Sequence, residues 1–472
     1  MSARPMSAER TIVIVGAGFS GTLVATNLLR SQHWEATRIV LIERSNSVAR
    51  GKAYADRDYP YLLNVPAGRM SADPNAPLDF LAFAQTRFPD ATAEDFLPRA
   101  LYGQYLEATL LDAEVSAQTH IQFEKLRGDV CAVEKVDDGV TYLVRLANGG
   151  TLTADDVVLA LGNPAPADLP GTDELPNYVS DPWAQPLNFA PGETVLLIGT
   201  GLTMVDVATA AAASSKEQAV IHSISRHGLI PPSQTQFSNA GCKADNAAML
   251  RAATFSALTL LRSVRELVRE TEERGGDWRE AVTFIRSIAP ALWQRLPARE
   301  KRRMLRHIRP YWDVHRHRLP SETLAKLKHL QQKQKLHVHA GRLQSFEPIG
   351  NQVRVTWKAR GTDTPQTMMV DRVVNCTGPN YNIRRLRDPL FRSLLDQGLV
   401  TCDPLNLGLR TGSYGALIDQ HGRTANNLFY VGPMLRADHW EATAAHELRG
   451  HAERLASYLS APVGRMPAAV HA

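Results

Sequence analysis

The chain has 472 residues, 44% hydrophobic and 21% charged, enough apolar material for a large core, which excludes a disordered or fibrous protein. Its 53 Lys and Arg against 48 Asp and Glu leave a formal charge of only +5, too little for a histone-like polycation. Four cysteines, Cys131, Cys242, Cys376 and Cys402, lie far apart with no C-x-x-C; this rules out a disulfide scaffold, a Cys-rich zinc module and a dithiol pair on neighbouring turns, and fits a reducing compartment.

Between Arg10 and Arg30 lie 19 uncharged residues, close to the roughly 20 that span a bilayer. Gly16, Gly18 and Gly21 interrupt that run, and Arg30-Ser31-Gln32-His33 is no signal cleavage site. The expectation is a soluble cytoplasmic protein with no membrane segment. Thr11–Val15 reads instead as a strand buried on both faces. Gly16-Ala17-Gly18-Phe19-Ser20-Gly21 follows, then a helical repeat of Leu23, Val24, Leu28 and Leu29, then a strand Arg38–Ile42 ending at Glu43. In this order Gly16 permits a tight turn, Gly18 lets backbone N–H groups reach a pyrophosphate, and Gly21 lets helix and strand pack closely. Glu43 is placed to bond a ribose diol. The alternative is a glycine turn in an ordinary α/β unit.

Val130–Val136, Thr141–Leu146 and Leu152–Leu161 read as two strands feeding a third, which opens onto Gly162-Asn163-Pro164. A second entry begins at Glu193–Ile198, followed by Gly199-Thr200-Gly201-Leu202-Thr203-Met204, a helix Val205–Ala213 and a strand Ala219–Ile224 ending at Ser225-Arg226-His227-Gly228. Met204 replaces the third glycine, so the unit either binds a nucleotide or is a structural half that lost its ligand. Arg226 is read as standing where Glu43 stands in the first unit. A carboxylate would repel a 2′-phosphate and an arginine would pair with it, so the second nucleotide is expected to be NADPH rather than NADH.

Residues 240–335 are rich in helix formers, with Ala257, Leu260, Leu261, Val264, Leu267 and Val268 as a core stripe. Arg295–Arg318 is basic, but Tyr311 and Trp312 are adjacent rather than interleaved as stacking platforms, so no nucleic-acid partner is expected. His315 and His317 lack a carboxylate–histidine set of recognised spacing, and no metal is expected. Leu336–His339, Gln352–Lys358 and Met368–Asn375 repeat the earlier strand pattern, ending at Asp371-Arg372-Val373-Val374-Asn375-Cys376-Thr377-Gly378-Pro379. The reading is α/β, with two Rossmann-type dinucleotide-binding domains: a discontinuous first domain (1–188 and 351–472) and an inserted second one (189–350) carrying the helical segment 240–335.

The chain resembles bacterial two-Rossmann FAD/NAD(P)-binding oxidoreductases, and more narrowly a bacterial family related to amino-acid N-hydroxylases. The resemblance rests on Gly51-Lys52-Ala53-Tyr54, Leu62-Leu63-Asn64-Val65-Pro66-Ala67, Met70-Ser71, Tyr102-Gly103-Gln104-Tyr105-Leu106, Ser225–Gly228, Arg309–Arg318 and Trp440-Glu441-Ala442-Thr443. By that analogy the N-terminal unit holds FAD, contacted by Gly16, Gly18, Phe19, Ser20, Gly21, Glu43 and Arg44. The resemblance further implies that Gly51–Tyr54, with Lys52 and Ala53, and Leu63–Met70, with Asn64 and Met70, wrap the ribityl chain and ring. Val130 would meet the adenine through backbone, and Gly162, Gly432 and Thr443 would complete the site. Gly199, Thr200, Gly201, Leu202, Thr203, Ser225, Arg226 and His227 would hold NADPH. The Asp that related families carry after Gly432 is absent here, where Pro433 stands. Thr443 is expected to cap a helix with Leu448, Leu455 and Leu459 on one face, its positive end toward the flavin.

The implied activity is a single-component NADPH-dependent flavin monooxygenase. An oxygen adduct at flavin C4a would oxygenate a small amine or sulfur nucleophile, so the partners are a small-molecule substrate and O₂. Asn64, Asp73, Trp440, Glu441 and His446 are the expected catalytic-site residues. A flavin reductase without oxygen insertion and a flavin-loaded redox sensor are the competing readings.

Overall fold

The computed structural model describes residues 9–32, 35–136, 139–235, 242 and 244–461. Its contacts divide the chain into two units: Met1–Asp56 with Val65–Pro164 and Tyr381–Ala472, and Arg57–Asn64 with Ala165–Asn380. The expected boundaries at 188/189 and 350/351 therefore shift to 164/165 and 380/381. The reason is strand pairing: Tyr178–Val179 and Arg372–Asn375 both join the sheet of the second unit.

In the first unit six strands run in the order Ala416–Ile418, Thr424–Tyr430, Asp156–Leu159, Arg10–Val15, Thr37–Glu43, Ile121–Arg127. All neighbours except the first pair are parallel. Ile12, Val13, Ile14, Ile39, Val40 and Leu41 are wholly buried, as the unbroken apolar runs of a doubly covered sheet require. Helices Phe19–Arg30 and Ala445–Ser460 pack together, the latter burying Leu448, Leu455 and Leu459. The uncharged N-terminal run thus resolves into a strand, a turn and a 12-residue helix. Among the described residues no helix is long and apolar enough to cross a membrane. A three-stranded antiparallel meander, Val130–Lys135, Tyr142–Leu146 and Thr151–Ala154, completes the unit.

The second unit orders its strands Pro365–Val370, Gln352–Ala359, Leu336–Ile349, Val220–Ser225, Thr194–Ile198, Arg372–Asn375, Tyr178–Val179. The helical segment is real and spans Asn246–Gln332 in six α-helices. Of the expected stripe, Ala257, Leu260 and Leu267 are buried, whereas Leu261, Val264 and Val268 are half-buried.

The internal repeat holds at the level of single hydrogen bonds. Leu152–Leu161 is not one strand: it breaks at Asp155, leaving Thr151–Ala154 in the meander and Asp156–Leu159 in the parallel sheet. Met368–Asn375 breaks in the same way at Asp371. Asp155 Oδ2 accepts the Thr11 N–H at 2.8 Å while its own N–H bonds Thr11 O at 2.9 Å. Asp371 does the same to Thr194, with both distances 2.8 Å. Each aspartate thus clips the entry of a Rossmann strand to the crossing strand beside it.

His222 pairs with His337 across two strands, rings stacked at 4.9 Å, and its Nδ1 lies 3.1 Å from His339 Nε2. Burial, reinforced by the like charge on His337 and His339, pushes His222 down to about 4. The folded-state value lies below the ordinary one of about 6.5, so protonation favours the unfolded chain. Stability conferred at this site is whole above pH 6.5 and lost as pH falls toward 4. Scanning calorimetry should show a melting temperature falling across that window in the wild type and a flatter profile in His222→Asn. Parallel profiles would remove His222 as the cause.

Candidate functional site

The first glycine turn is shaped by what surrounds it. Gly16 has φ +98°, and a Cβ there would lie 2.7 Å from Ala160 O. A Cβ on Gly21 would lie 1.8 Å from Gly16 O, so only hydrogen fits and the helix packs directly on the turn. Gly18 differs: its backbone is extended, and a Cβ would meet only Gly51 Cα at 3.6 Å. It caps Phe19–Arg30 with no side-chain bond and no acid in the first turn. The first intrahelical bond joins Thr22 N–H to Gly18 O at 3.0 Å. The donors ahead of it, from Phe19, Ser20 and Gly21, suit an outside anion.

Glu43 does more than the expected ribose contact requires. Its Oε2 accepts the Ala17 N–H at 2.8 Å and its Oε1 the Ser45 N–H at 2.9 Å, which ties the glycine turn to the second strand. Each oxygen keeps a lone pair for a ligand. Arg44 is exposed, 3.9 Å from Asp129 and 3.7 Å from Asp388.

Sequence reasoning missed the aromatic wall behind this turn. Phe19 lies 6.2 Å from Tyr54 and 6.3 Å from Tyr102, and Tyr54 and Tyr102 meet edge-on at 4.8 Å. Burial lifts the Tyr54 phenol to about 12. The Tyr102 hydroxyl is fully buried with no hydrogen-bond partner among the described residues. The quoted Tyr102–Leu106 segment held this signal, but nothing in its spacing assigned a role. Lys52 and Ala53 are exposed, Met70 is buried, and a Cβ on Gly162 would meet nothing. The Val130 side chain sits in the core with Val133, Tyr142 and Leu146, leaving only its backbone for a ligand.

The C-terminal segment departs from expectation at Thr443. Thr443 is not the cap: the helix begins at Ala445 with Ala444 at its N-cap and no side-chain cap bond. The strand before it ends at Tyr430, whose hydroxyl donates to Leu161 O at 2.9 Å and accepts the Met434 N–H at 3.2 Å. A Cβ on Gly432 would lie 2.6 Å from the same Leu161 O, so a glycine is needed here whatever binds.

Trp440 is 2% exposed, with the Arg436 guanidinium 4.2 Å from its ring, and Glu441 is 1% exposed. Asp73 is engaged by Arg30 at 3.3 Å and by the Asn75 N–H at 2.8 Å. His446 Nε2 pairs with Glu447 at 2.8 Å. Asn64 belongs to the second unit, unlike these four. Trp440→Ala should cost about 3–5 kcal/mol through the cavity it leaves, measured by denaturant unfolding, whereas Trp440→Phe should retain most of the stability. Equal stability of all three proteins would show that the ring is not a packing element.

The second turn reproduces the first. Gly199 has φ +114°, its N–H bonds Ile224 O at 2.8 Å, and a Cβ would lie 2.6 Å from Cys376 O. In the first turn the corresponding bond joins Gly16 N–H to Ile42 O at 2.8 Å. Gly201 caps Leu202–Ser214 without a side-chain bond, and a Cβ there would meet nothing within 4 Å. Met204, in the place of Gly21, is wholly buried as core.

The hydrogen bonds also correct one correspondence. Ile42 matches Ile224, so Glu43 matches Ser225 and not Arg226. Ser225 performs the same tie: its Oγ accepts from Thr200 Oγ1 at 2.9 Å and from the Gly228 N–H at 2.9 Å. A neutral hydroxyl therefore stands where the first unit has a carboxylate. Arg226 is exposed and forms no salt bridge with a described residue, and the His227 ring lies 5.3 Å from Tyr311. Among the described residues no group of three or more His, Cys, Asp or Glu is arranged to hold a metal ion.

No curated protein matches the sequence. The solved structures it resembles share the fold at low identity. L-lysine 6-monooxygenase from Pseudomonas syringae is 16% identical with a TM-score of 0.61, covering 95% of this chain and 98% of that one. The ornithine N-hydroxylase of Kutzneria sp. 744 is 15% identical with a TM-score of 0.59, over 95% and 98%. The bacillithiol disulfide reductase of Staphylococcus aureus is 12% identical with a TM-score of 0.53, over 96% and 98%. The fold of the whole chain is the one these solved structures share, and residues 13–164 match the model of the FAD-NAD(P)-binding family.

Proposed function

We propose that the protein is an FAD- and NADPH-dependent monooxygenase acting on a small amine or sulfur nucleophile. The observation that carries this is the pair of matched glycine turns, one per unit, each opening an uncapped helix N-terminus. Two such cradles suit two pyrophosphates. FAD belongs in the first, where Glu43 retains lone pairs for a ribose. NADPH belongs in the second, where Ser225 replaces that acid and Arg226 is free to pair with a phosphate.

Bound there, reduced flavin supplies activation of O₂ and transfer of one oxygen atom to the substrate. The chain's own residues have the narrower roles of holding, orienting and keeping water out. Helix Phe19–Arg30 would neutralise one pyrophosphate and the first turn of Leu202–Ser214 the other. Trp440, closed in by Arg436, would exclude water from the reacting edge, with His446 as a further polar contact there. Glu441 or Asp73 would bind a substrate ammonium. A reducing cytoplasm suits the free thiols.

The amine hydroxylases among the fold neighbours support oxygenation. The bacillithiol disulfide reductases support a reductase reading, though this chain has no C-x-x-C. The deciding experiment reduces the FAD-loaded protein anaerobically with NADPH, mixes it with O₂, and follows reoxidation and peroxide with and without NADP⁺. Slow reoxidation with little peroxide in the presence of NADP⁺ is expected. Immediate stoichiometric peroxide in both cases would overturn the monooxygenase reading and leave the reductase.

A further inference from the structure

The turn Ser225–Gly228 leaves the carboxyl end of strand Val220–Ser225, the place where a Rossmann unit receives the adenosine ribose. Two elements distant in sequence meet it. The strand Gln352–Ala359 leads into Arg360, whose N–H bonds Ala340 O at 2.8 Å, and the Ala340 Cβ lies 3.1 Å from where a Gly228 Cβ would be. Arg360 is thereby carried onto the flank of the turn. From the helical segment, Tyr311 brings its ring to 5.3 Å from His227 and remains 41% exposed.

We propose that Arg360 and Arg226 together clamp the 2′-phosphate of the nicotinamide dinucleotide, and that Tyr311 packs against its adenine. This rests on the NADPH reading of the second site. Both guanidinium groups are exposed, and neither forms an ion pair with a described residue. Both act on His227, which their charge, after burial, holds below its ordinary pKa. The His227 Nδ1 is buried with no hydrogen-bond partner among the described residues. Two like charges gathered around one buried ring nitrogen repel one another until an anion arrives. A dianionic phosphomonoester answers two planar, always-charged forks better than a ribose hydroxyl does. Ser225, in the place of an acid, offers a hydroxyl without repulsion. The helical segment thereby supplies one wall of the nucleotide pocket.

The test is calorimetric titration of the FAD-loaded, full-length protein with 2′,5′-ADP and with 5′-AMP. Wild type should bind 2′,5′-ADP at least tenfold more tightly. Arg360→Ala should weaken 2′,5′-ADP at least fivefold, leave 5′-AMP within twofold, and lessen the salt dependence of 2′,5′-ADP binding, with Arg360→Lys falling between. Tyr311→Ala should weaken both ligands alike, since adenine is common to them. If wild type binds the two nucleotides equally, the NADPH reading fails and the clamp with it. If wild type prefers 2′,5′-ADP and Arg226→Ala abolishes that preference while Arg360→Ala leaves it intact, the reading stands and the Arg360 assignment is wrong. Equal weakening of both ligands by Arg360→Ala would make it a structural residue only.

Discussion

Gly18→Val should yield a folded, colourless protein. The geometry separates this position from its neighbours. At Gly21 a Cβ would lie 1.8 Å from Gly16 O, and at Gly16 it would lie 2.7 Å from Ala160 O on a backbone of φ +98°. Substitution at either breaks the fold and says nothing about ligands. At Gly18 the backbone is extended, and the nearest atom to a Cβ is Gly51 Cα at 3.6 Å. A valine Cβ meets no clash in the chain itself but would stand in the way of phosphate oxygens approaching the first-turn N–H groups on the proposed reading. Losing two charge-assisted hydrogen bonds at about 1.5–3 kcal/mol each weakens FAD by roughly a hundred- to ten-thousandfold. The readout is flavin absorbance per protein after purification, with circular dichroism as the folding control. Stoichiometric FAD in a folded Gly18→Val protein would remove the flavin from this turn.

The contrast between Gly18 and Gly21 marks where the sequence stops being legible. G-x-G-x-x-G between a buried strand and an amphipathic helix names all three glycines, because turn, strand and helix are set by residues within about 30 positions of one another. It does not reveal that Gly21 answers to a carbonyl and Gly18 to open space. The repeat could be seen as Asp155 and Asp371, each ahead of an apolar strand, but not that both break the run and clip Thr11 and Thr194. That is a pairing across some 144 and 177 residues. The same limit explains two misreadings. Counting residues put Arg226 opposite Glu43, whereas the hydrogen-bond register puts Ser225 there. Thr443 has the chemistry of a cap, yet the helix starts two residues later. Trp440 and Glu441 could be singled out as residue types, but no local pattern encodes that both are buried or that Arg436 lies over the Trp440 ring. Likewise, Arg360 and Tyr311 reach the second turn only through the sheet register and the helical segment.

Gly201→Val should give the complementary phenotype: yellow protein that NADPH no longer reduces. A Cβ at Gly201 meets nothing within 4 Å, and its extended backbone admits a β-branched residue, so the second unit keeps its fold. The first unit does not contain this residue and should keep the FAD proposed for it. The added methyl groups stand over the uncapped start of helix Leu202–Ser214, where the second pyrophosphate would land on the proposed reading. By the same arithmetic as for Gly18, kcat/KM for NADPH should fall roughly a hundred- to ten-thousandfold. Dithionite, which needs no nucleotide site, should still reduce the flavin at the wild-type rate. That pairing of readouts separates a lost NADPH site from a damaged flavin site. If NADPH reduces Gly201→Val as fast as wild type, the second glycine turn is a structural echo of the first and the reductant binds elsewhere. If dithionite reduction slows as well, the substitution has reached the flavin, and the two cradles do not act independently.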